Sequence, residues 1–281
     1  MPLVSSRELL LAAQRGTYAV GAFNVENLEM AQAVVEGAAS LHAPVLLQTT
    51  SGTLRYASPA LFAGMISRLA RDVRVPVALH LDHGDSLLLA ERCIREGYTS
   101  VMIDGSLLPF SGNVTLTRQV VAMAGDVPVE AELGTVGGKE DDHGAKPQYT
   151  EPNEAAEFVA MTGISSFAVA IGTSHGIYQG EPKLNLPLLE RIHEAVSVPL
   201  VLHGTSGVPY EQVRACIARG ICKVNYATEL RMTFTHAART YLDKHPEQFD
   251  PKKFLGAARD AVKNRVMELI IVCGSDGKAP A

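Results

Sequence analysis

This chain of 281 residues has no run of lysine and arginine, no C-x-x-C pair and no apolar stretch near the length of a membrane span. Each absence narrows the function. With no basic cluster and a net charge of −5, the chain has little to offer nucleic acid or an anionic membrane. Small anionic substrates stay compatible, because a local site can be positive on a mildly acidic protein. A membrane helix needs about 20 consecutive apolar residues, and the N-terminal Met1-Pro2-Leu3-Val4-Ser5-Ser6-Arg7 lacks the charged-then-apolar pattern of a secretory signal. The four cysteines (Cys93, Cys216, Cys222 and Cys273) read as core filler in a reduced, cytoplasmic protein.

What is present is rhythm. Short, continuously apolar runs rich in β-branched residues fall at 18–24, 44–50, 75–83, 100–105, 128–134, 167–172, 199–204 and 222–228. Continuous rather than alternating apolarity marks strands covered on both faces. Helical spacing of apolar residues marks the segments 28–40, 87–96, 154–162 and 188–196 between them. Prolines at 44, 76, 128 and 199 end the preceding helix and start an extended segment. Eight such units predict one domain over 1–281, a parallel (β/α)8 barrel. The segment 5–15 reads as a helix closing the bottom, and the tail from Pro251 to about Cys273 as one or more extra helices. A doubly wound sheet would carry a glycine-rich phosphate fingerprint after its first strand, and Phe23-Asn24-Val25-Glu26 is none. The polar segment 135–150 is too long for an ordinary connection and reads as a lid over the C-terminal mouth.

Polar groups collect where the predicted strands end. The third run closes on Asp82-His83-Gly84, although an apolar run has no packing reason to end on an acid and an imidazole. Asp104 ends the fourth, Glu130 and Glu132 lie on the fifth, His175-Gly176 follows the sixth and His203-Gly204 ends the seventh. His83, His175 and His203 therefore sit at one level of three strands, and three imidazoles with an open fourth position form a catalytic zinc arrangement. His42, His193, His236 and His245 read as surface residues, His80 as inward packing or support, and His143 as part of the lid. Gly204-Thr205-Ser206-Gly207 and Asn225-Tyr226-Ala227-Thr228 read as backbone cups for an anion after the seventh and eighth strands.

In their order and number these motifs resemble the class II, metal-dependent ketose-bisphosphate aldolases. They are Gly21–Asn24, His80–His83, Ser100–Asp104, Val129–Gly134, Ala168–Gly176, Leu202–Gly204 and Lys223–Asn225. The resemblance covers nearly the whole chain. It implies zinc on His83, His175 and His203, with Asp104 and Glu132 supporting or alternately binding the metal. It implies that Asp82 moves the proton of the C4 hydroxyl, and that Glu140 of the lid takes a proton from dihydroxyacetone phosphate. Gly176, Gly204, Thr205, Ser206, Asn225, Tyr226, Ala227 and Thr228 would cradle a phosphate, with a monovalent cation (Na+ or K+). Ser51 and Arg259 are candidates for the second phosphate. A carbanion next to a ketone needs a Lewis acid on the carbonyl oxygen, which zinc supplies. Lys223 is the one lysine placed where a Schiff base could be tested.

The segment Asn225-Tyr226-Ala227-Thr228-Glu229-Leu230 is similar to the tagatose-bisphosphate subgroup; fructose-bisphosphate members more often carry Asp at positions 227 and 229. Thr205 and Tyr226 depart from the subgroup, which usually has Ala or Gly and a small aliphatic there. The expected substrate is thus a phosphorylated keto-sugar, tagatose 1,6-bisphosphate first. Fructose 1,6-bisphosphate and other phosphorylated keto-sugars are the alternatives. The resemblance also implies a homodimer or homotetramer and a non-catalytic partner subunit. A zinc hydrolase would place an H-x-H pair on the first strand, which has no histidine. A barrel subunit without chemistry would lack a ligand or Asp82, and all are present.

Overall fold

The computed structural model describes residues 3–140, 143–145, 147–178 and 180–280; the side chains of 139, 140 and 143–145 lie outside the described set. Eight strands close a parallel barrel: β1 (Val20–Asn24), β2 (Val45–Thr50), β3 (Val77–Gly84), β4 (Ser100–Ile103), β5 (Val129–Leu133), β6 (Ser166–Val169), β7 (Leu200–Leu202) and β8 (Ile221–Tyr226). Closure is the pairing of β1 with β8, Val20 opposite Lys223 and Phe23 opposite Tyr226. Outward side chains such as Phe23, Leu47, Leu79 and Val224 are fully buried under the helices, which is why the strands read as unbroken apolar runs.

The floor is the helix Ser6–Gly16, started by Ser5, whose hydroxyl accepts the Arg7 amide. Leu9, Leu10 and Ala13 of this helix pack against the inward Val20, Ala22, Leu46, Ala78 and Cys222. The Val4 amide donates to the Val77 carbonyl at 2.9 Å, tying the floor to β3. The predicted tail is one helix, Pro251–Cys273, capped by Asp250 and packed along the helices Leu28–Ser40 and Thr228–Lys244. Among the described residues no helix is long and apolar enough to cross a membrane.

Two differences from the sequence expectation matter for the site. The strands stop pairing before the predicted runs end: β6 ends at Val169 and β7 at Leu202, so Gly172 and Gly204 belong to loops. Those last residues turn out of the ladder to hold site groups. β3 behaves differently. It continues to Gly84 through a register shift against β4, and His83 sits at φ 45°. A non-glycine residue in the left-handed region is uncommon and costs of order 1–3 kcal/mol, so the surroundings must impose it. The bulge re-aims His83 away from the alternation of the strand.

Described residues of the segment 135–150 are paired. Gly137–Glu140 pairs antiparallel with His143–Ala145 and parallel with Ser174–His175, while Thr135 and Gln148 exchange backbone hydrogen bonds of 2.9 and 3.0 Å. Gly138 (φ +84°) lies against the His175 carbonyl oxygen and 2.6 Å, at its would-be Cβ, from the Ser174 hydroxyl. No side chain fits there. Gly138→Ala should therefore release the strand Gly137–Glu140 while sparing the barrel. Hydrogen exchange at the Gly137 and Gly138 amides should accelerate at least tenfold with Tm nearly unchanged; unchanged exchange in a folded variant would refute the docking.

Candidate active site

The interior of the barrel changes from apolar at the floor to polar at the mouth. Above Ala78 and Cys222 lies a fully buried charged layer. The Lys223 ammonium donates to both oxygens of Glu130, at 3.1 and 3.0 Å, and faces His80 Nε2 at 3.4 Å. His80 Nδ1 is 2.8 Å from the Ser100 hydroxyl, which also takes the hydroxyl of Ser6 on the floor helix at 2.8 Å. Burial, joined by the charge of Lys223, lowers His80 to about 3, so it is a neutral imidazole. Lys223 is wholly buried and engaged with Glu130, which removes it as a Schiff-base nucleophile.

The next layer carries the three histidines. Their ring centroids lie 4.7 Å (His83–His203), 5.0 Å (His83–His175) and 6.1 Å (His175–His203) apart. One ligand atom from each falls within 4.8 Å of the others, and a second set joins His83 with Asp104 and Glu132. Two of the rings are held from behind. His83 Nδ1 meets Asp104 Oδ2 at 2.7 Å, and Asp104 Oδ1 accepts the Ser106 amide at 3.0 Å. His203 Nε2 meets Glu130 Oε1 at 3.0 Å. What remains is informative: His83 Nε2, His203 Nδ1 and Glu132 Oε2 are buried without a hydrogen-bond partner among the described residues. Glu132 Oε2 lies 3.3 Å from His203 Nδ1. Unpaired polar atoms are costly in a protein interior, and here they converge on one point. Nitrogen and carboxylate donors in such a set suit zinc.

Electrostatics supports a cation there. Asp82, Asp104, Glu130 and Glu132 surround three imidazoles and one lysine. Burial opposes charge on His83 and His203, yet Asp82 and Asp104 raise His83 well above its ordinary range, and the adjacent carboxylates of Glu130 and Glu132 raise His203. His175 is pushed well below by burial and by the charge of the other two rings. The cluster is short of positive charge, and a dication would supply it.

Asp82 stands beside this point and off the shared-ligand set. Its Oδ2 accepts the Asn24 amide at 2.9 Å and its Oδ1 the Asn225 amide at 3.0 Å; Gln48 in turn donates to Asn24 Oδ1 at 2.7 Å. Burial raises its pKa, but His83, His203 and Lys223 outweigh that and hold it at about 2. It is a fixed carboxylate with one face toward the cleft.

The cleft is lined by Asn24, Asp82, His83, His175, Gly176, Gly204, Thr205, Ser206, Asn225, Ala227 and Thr228. Thr205, the departure from the small residue usual there, donates its hydroxyl to the Asn225 carbonyl and ties the two loops together. The Ser206 hydroxyl accepts the Glu229 amide at 3.3 Å. Gly204 (φ +64°) approaches the Ser174 backbone too closely for a Cβ. Tyr226 corrects the sequence expectation, since its side chain is no part of this cleft. It alternates outward from Asn225, stacks on Phe23 (centroids 5.6 Å) and reaches Cys273 Sγ at 3.6 Å. The Ser51 hydroxyl donates to the His83 carbonyl at 3.2 Å, behind that ligand. Arg259 pairs with its neighbour Asp260 at 3.2 Å and does not line the cleft. Glu140 ends the lid strand; its side chain lies outside the described set, as does that of His143. His42, His193, His236 and His245 are exposed. Sequence reasoning missed Gln48, Ser100 and the task of Glu130. The signal was available, because a polar residue in the middle of a continuous apolar strand has to be satisfied inside.

The chain matches the family profile described as "Fructose-bisphosphate aldolase class-II" over residues 4–278. Among solved structures it is similar to the YdjI aldolase from Escherichia coli K12, at 38% identity and TM-score 0.88, covering 99% of this chain and 100% of that one. It is similar to a putative fructose-1,6-bisphosphate aldolase from Coccidioides immitis, at 29% identity and TM-score 0.88 over 96% of each chain. The fold also matches the fructose-bisphosphate aldolase of Campylobacter jejuni, at 23% identity and TM-score 0.82, covering 99% of this chain and 97% of that one.

A side cleft of about 710 Å³ adjoins the mouth behind Gly176, Ser206 and Thr228, and Glu229 lies in its wall with Tyr178, Tyr210 and Arg265. Burial raises Glu229 from 4.5 to about 7, against the pull of Arg265. Between those values the folded carboxyl is neutral while the unfolded one is charged. Stability is thus lost as pH rises through this window, fully by about pH 7 and above. Glu229→Gln should be more stable than wild type at pH 8, by up to about 3 kcal/mol, with the difference gone below pH 4.5. Urea unfolding at both pH values checks this; an equal difference at both would refute it.

Proposed function

The chain belongs to the class II fructose-bisphosphate aldolase family, and from that premise and the cleft geometry we propose its reaction. It is the reversible cleavage of a ketose 1,6-bisphosphate, tagatose 1,6-bisphosphate favoured, to dihydroxyacetone phosphate and glyceraldehyde 3-phosphate. The enzyme is a lyase. The observation that carries the reading is the convergence of buried, unpartnered His83 Nε2 and His203 Nδ1 beside the amide-clamped Asp82.

Members of this family are in general zinc-dependent, and His83, His175 and His203 would hold the ion, with Asp104 behind His83 and Glu132 in reach of His203. When bound, zinc supplies the Lewis acid that the ketone oxygen requires. The chain itself handles protons and phosphate. Asp82, ionised at working pH, takes the proton of the C4 hydroxyl as the C3–C4 bond breaks, and returns it to the aldehyde oxygen in condensation. Asn24 and Asn225 orient both of its oxygens for this transfer. Glu140 of the lid serves as the base at dihydroxyacetone phosphate. Gly176, Gly204 to Ser206 and Asn225 to Thr228 receive the phosphate by backbone N–H groups and small side chains, beside a monovalent cation. The family resemblance assigns Ser51 and Arg259 to the second phosphate, although Arg259 lies outside the cleft of its own chain and the Ser51 hydroxyl donates to the His83 carbonyl. A homodimer or homotetramer is inferred from the same resemblance. A non-catalytic partner subunit accompanies the tagatose assignment, and the reducing cytoplasm suits four buried free cysteines.

The support for tagatose is Ala227 in the cleft wall, where fructose-type members more often carry Asp. Three measurements test these statements. Chelation should abolish cleavage and added zinc restore it; borohydride trapping of a substrate adduct would point instead to a Schiff base. Asp82→Ala should lower kcat about a thousandfold, ~4 kcal/mol, with zinc still bound, and wild-type kcat would remove it from the chemistry. Finally, kcat/KM for tagatose 1,6-bisphosphate should exceed that for the fructose epimer at least tenfold. A reversed ratio would reassign the sugar, and cleavage of neither would move the substrate to another phosphorylated keto-sugar.

A further inference from the structure

We propose that Lys223 and Glu130 are positioning residues that dictate which nitrogen of His203 is left free to bind a cation. The proposal rests on the metal reading above. A neutral imidazole carries one N–H, and its second nitrogen is an acceptor or a ligand atom. Glu130 is a carboxylate that only accepts, so its 3.0 Å contact with Nε2 demands the proton on that nitrogen and leaves the Nδ1 lone pair outward. His203 Nδ1 is the atom found buried and unpartnered.

A second carboxylate competes. Glu132 Oε2 stands 3.3 Å from Nδ1 and would draw the proton to the wrong side. What separates the two acids is Lys223. Its ammonium donates to both oxygens of Glu130, at 3.1 and 3.0 Å, and so fixes the plane and position of that carboxylate, whereas among the described residues Glu132 accepts one amide, from Val136 at 3.3 Å. Lys223 is itself steadied by His80, then Ser100, then Ser6 on the floor helix, a line of groups all at most 3% exposed. A buried lysine–glutamate pair is no better for stability than an apolar pair of the same volume. Its retention at the barrel axis, one contact from a metal-facing ring, is therefore explained by orientation rather than by packing. The same contact explains why Lys223, the lysine best placed for covalent chemistry, has no access to substrate.

The test reads metal binding rather than turnover. Zinc affinity is measured by chelator competition in the full chain, alongside the visible spectrum of the cobalt(II)-substituted protein. Lys223→Met and Glu130→Gln should each weaken zinc binding ten- to a hundredfold and alter the cobalt spectrum. The double variant should be no weaker than Glu130→Gln alone, because Lys223 acts through Glu130. Wild-type affinity and spectrum in folded single variants would overturn the proposal, as would fully additive losses. Should the variants fail to fold, ¹⁵N-histidine NMR of zinc-loaded wild type decides. His203 bound through Nδ1 with a proton on Nε2 is expected, and binding through Nε2 overturns it. Failure of wild type to bind zinc would sink the metal reading and this proposal together, whereas normal zinc binding with insensitive variants sinks the positioning role alone.

Discussion

A carboxylate taken from water into an apolar interior is stable only when a cation or several donors answer its charge. This barrel buries Asp82, Glu130 and Glu132 within its bore and leaves Asp104 at the rim. The rest of the architecture follows from that constraint. Lys223 answers Glu130, two asparagines answer Asp82, and an amide with the imidazole of His83 answers Asp104. Glu132 is answered least. One oxygen takes the Val136 amide at 3.3 Å and the other has no hydrogen bond. The deficit of positive charge lies where His83 Nε2 and His203 Nδ1 are buried without a hydrogen-bond partner among the described residues.

The vertical order of the bore serves the same end. Apolar side chains from the floor helix and the lower strands exclude water from below, which strengthens every interaction in the charged layer above them. The charged layer then fixes the backs of the rings, and the mouth is left to loops whose glycines allow backbone to approach backbone. Thr205 and Ser206 fasten these loops to the strand and helix that follow, so the two connections act as one body.

Much of this was readable from the residues alone. Eight unbroken apolar runs at strand–helix spacing led to the barrel, and three His-Gly or Asp-His endings at one level led to the histidine cluster. The illegible parts have a common physical cause: they depend on contacts between segments far apart in the chain. Periodicity assigns Tyr226 to a strand, but the direction of its ring depends on which neighbour of Asn225 faces in. The left-handed turn at His83 is imposed by the step in pairing with β4 and has no local signature, since histidine has no preference that demands it. Segment 135–150 has the composition of an open loop, yet Gly137–Glu140 pairs with His143–Ala145 and with the strand edge that Ser174–His175 offers. Glu130 and Glu132 look equivalent on the strand, and only the position of Lys223 on the far side of the barrel separates their tasks.

The pairing of Gly137–Glu140 with Ser174–His175 has a mechanical consequence. The strand 137–140 is hydrogen-bonded to the same short stretch that carries His175, one of the three imidazoles of the cluster. Displacing that strand takes away backbone support under His175, so the order of the connection and the placement of the ring rise and fall together.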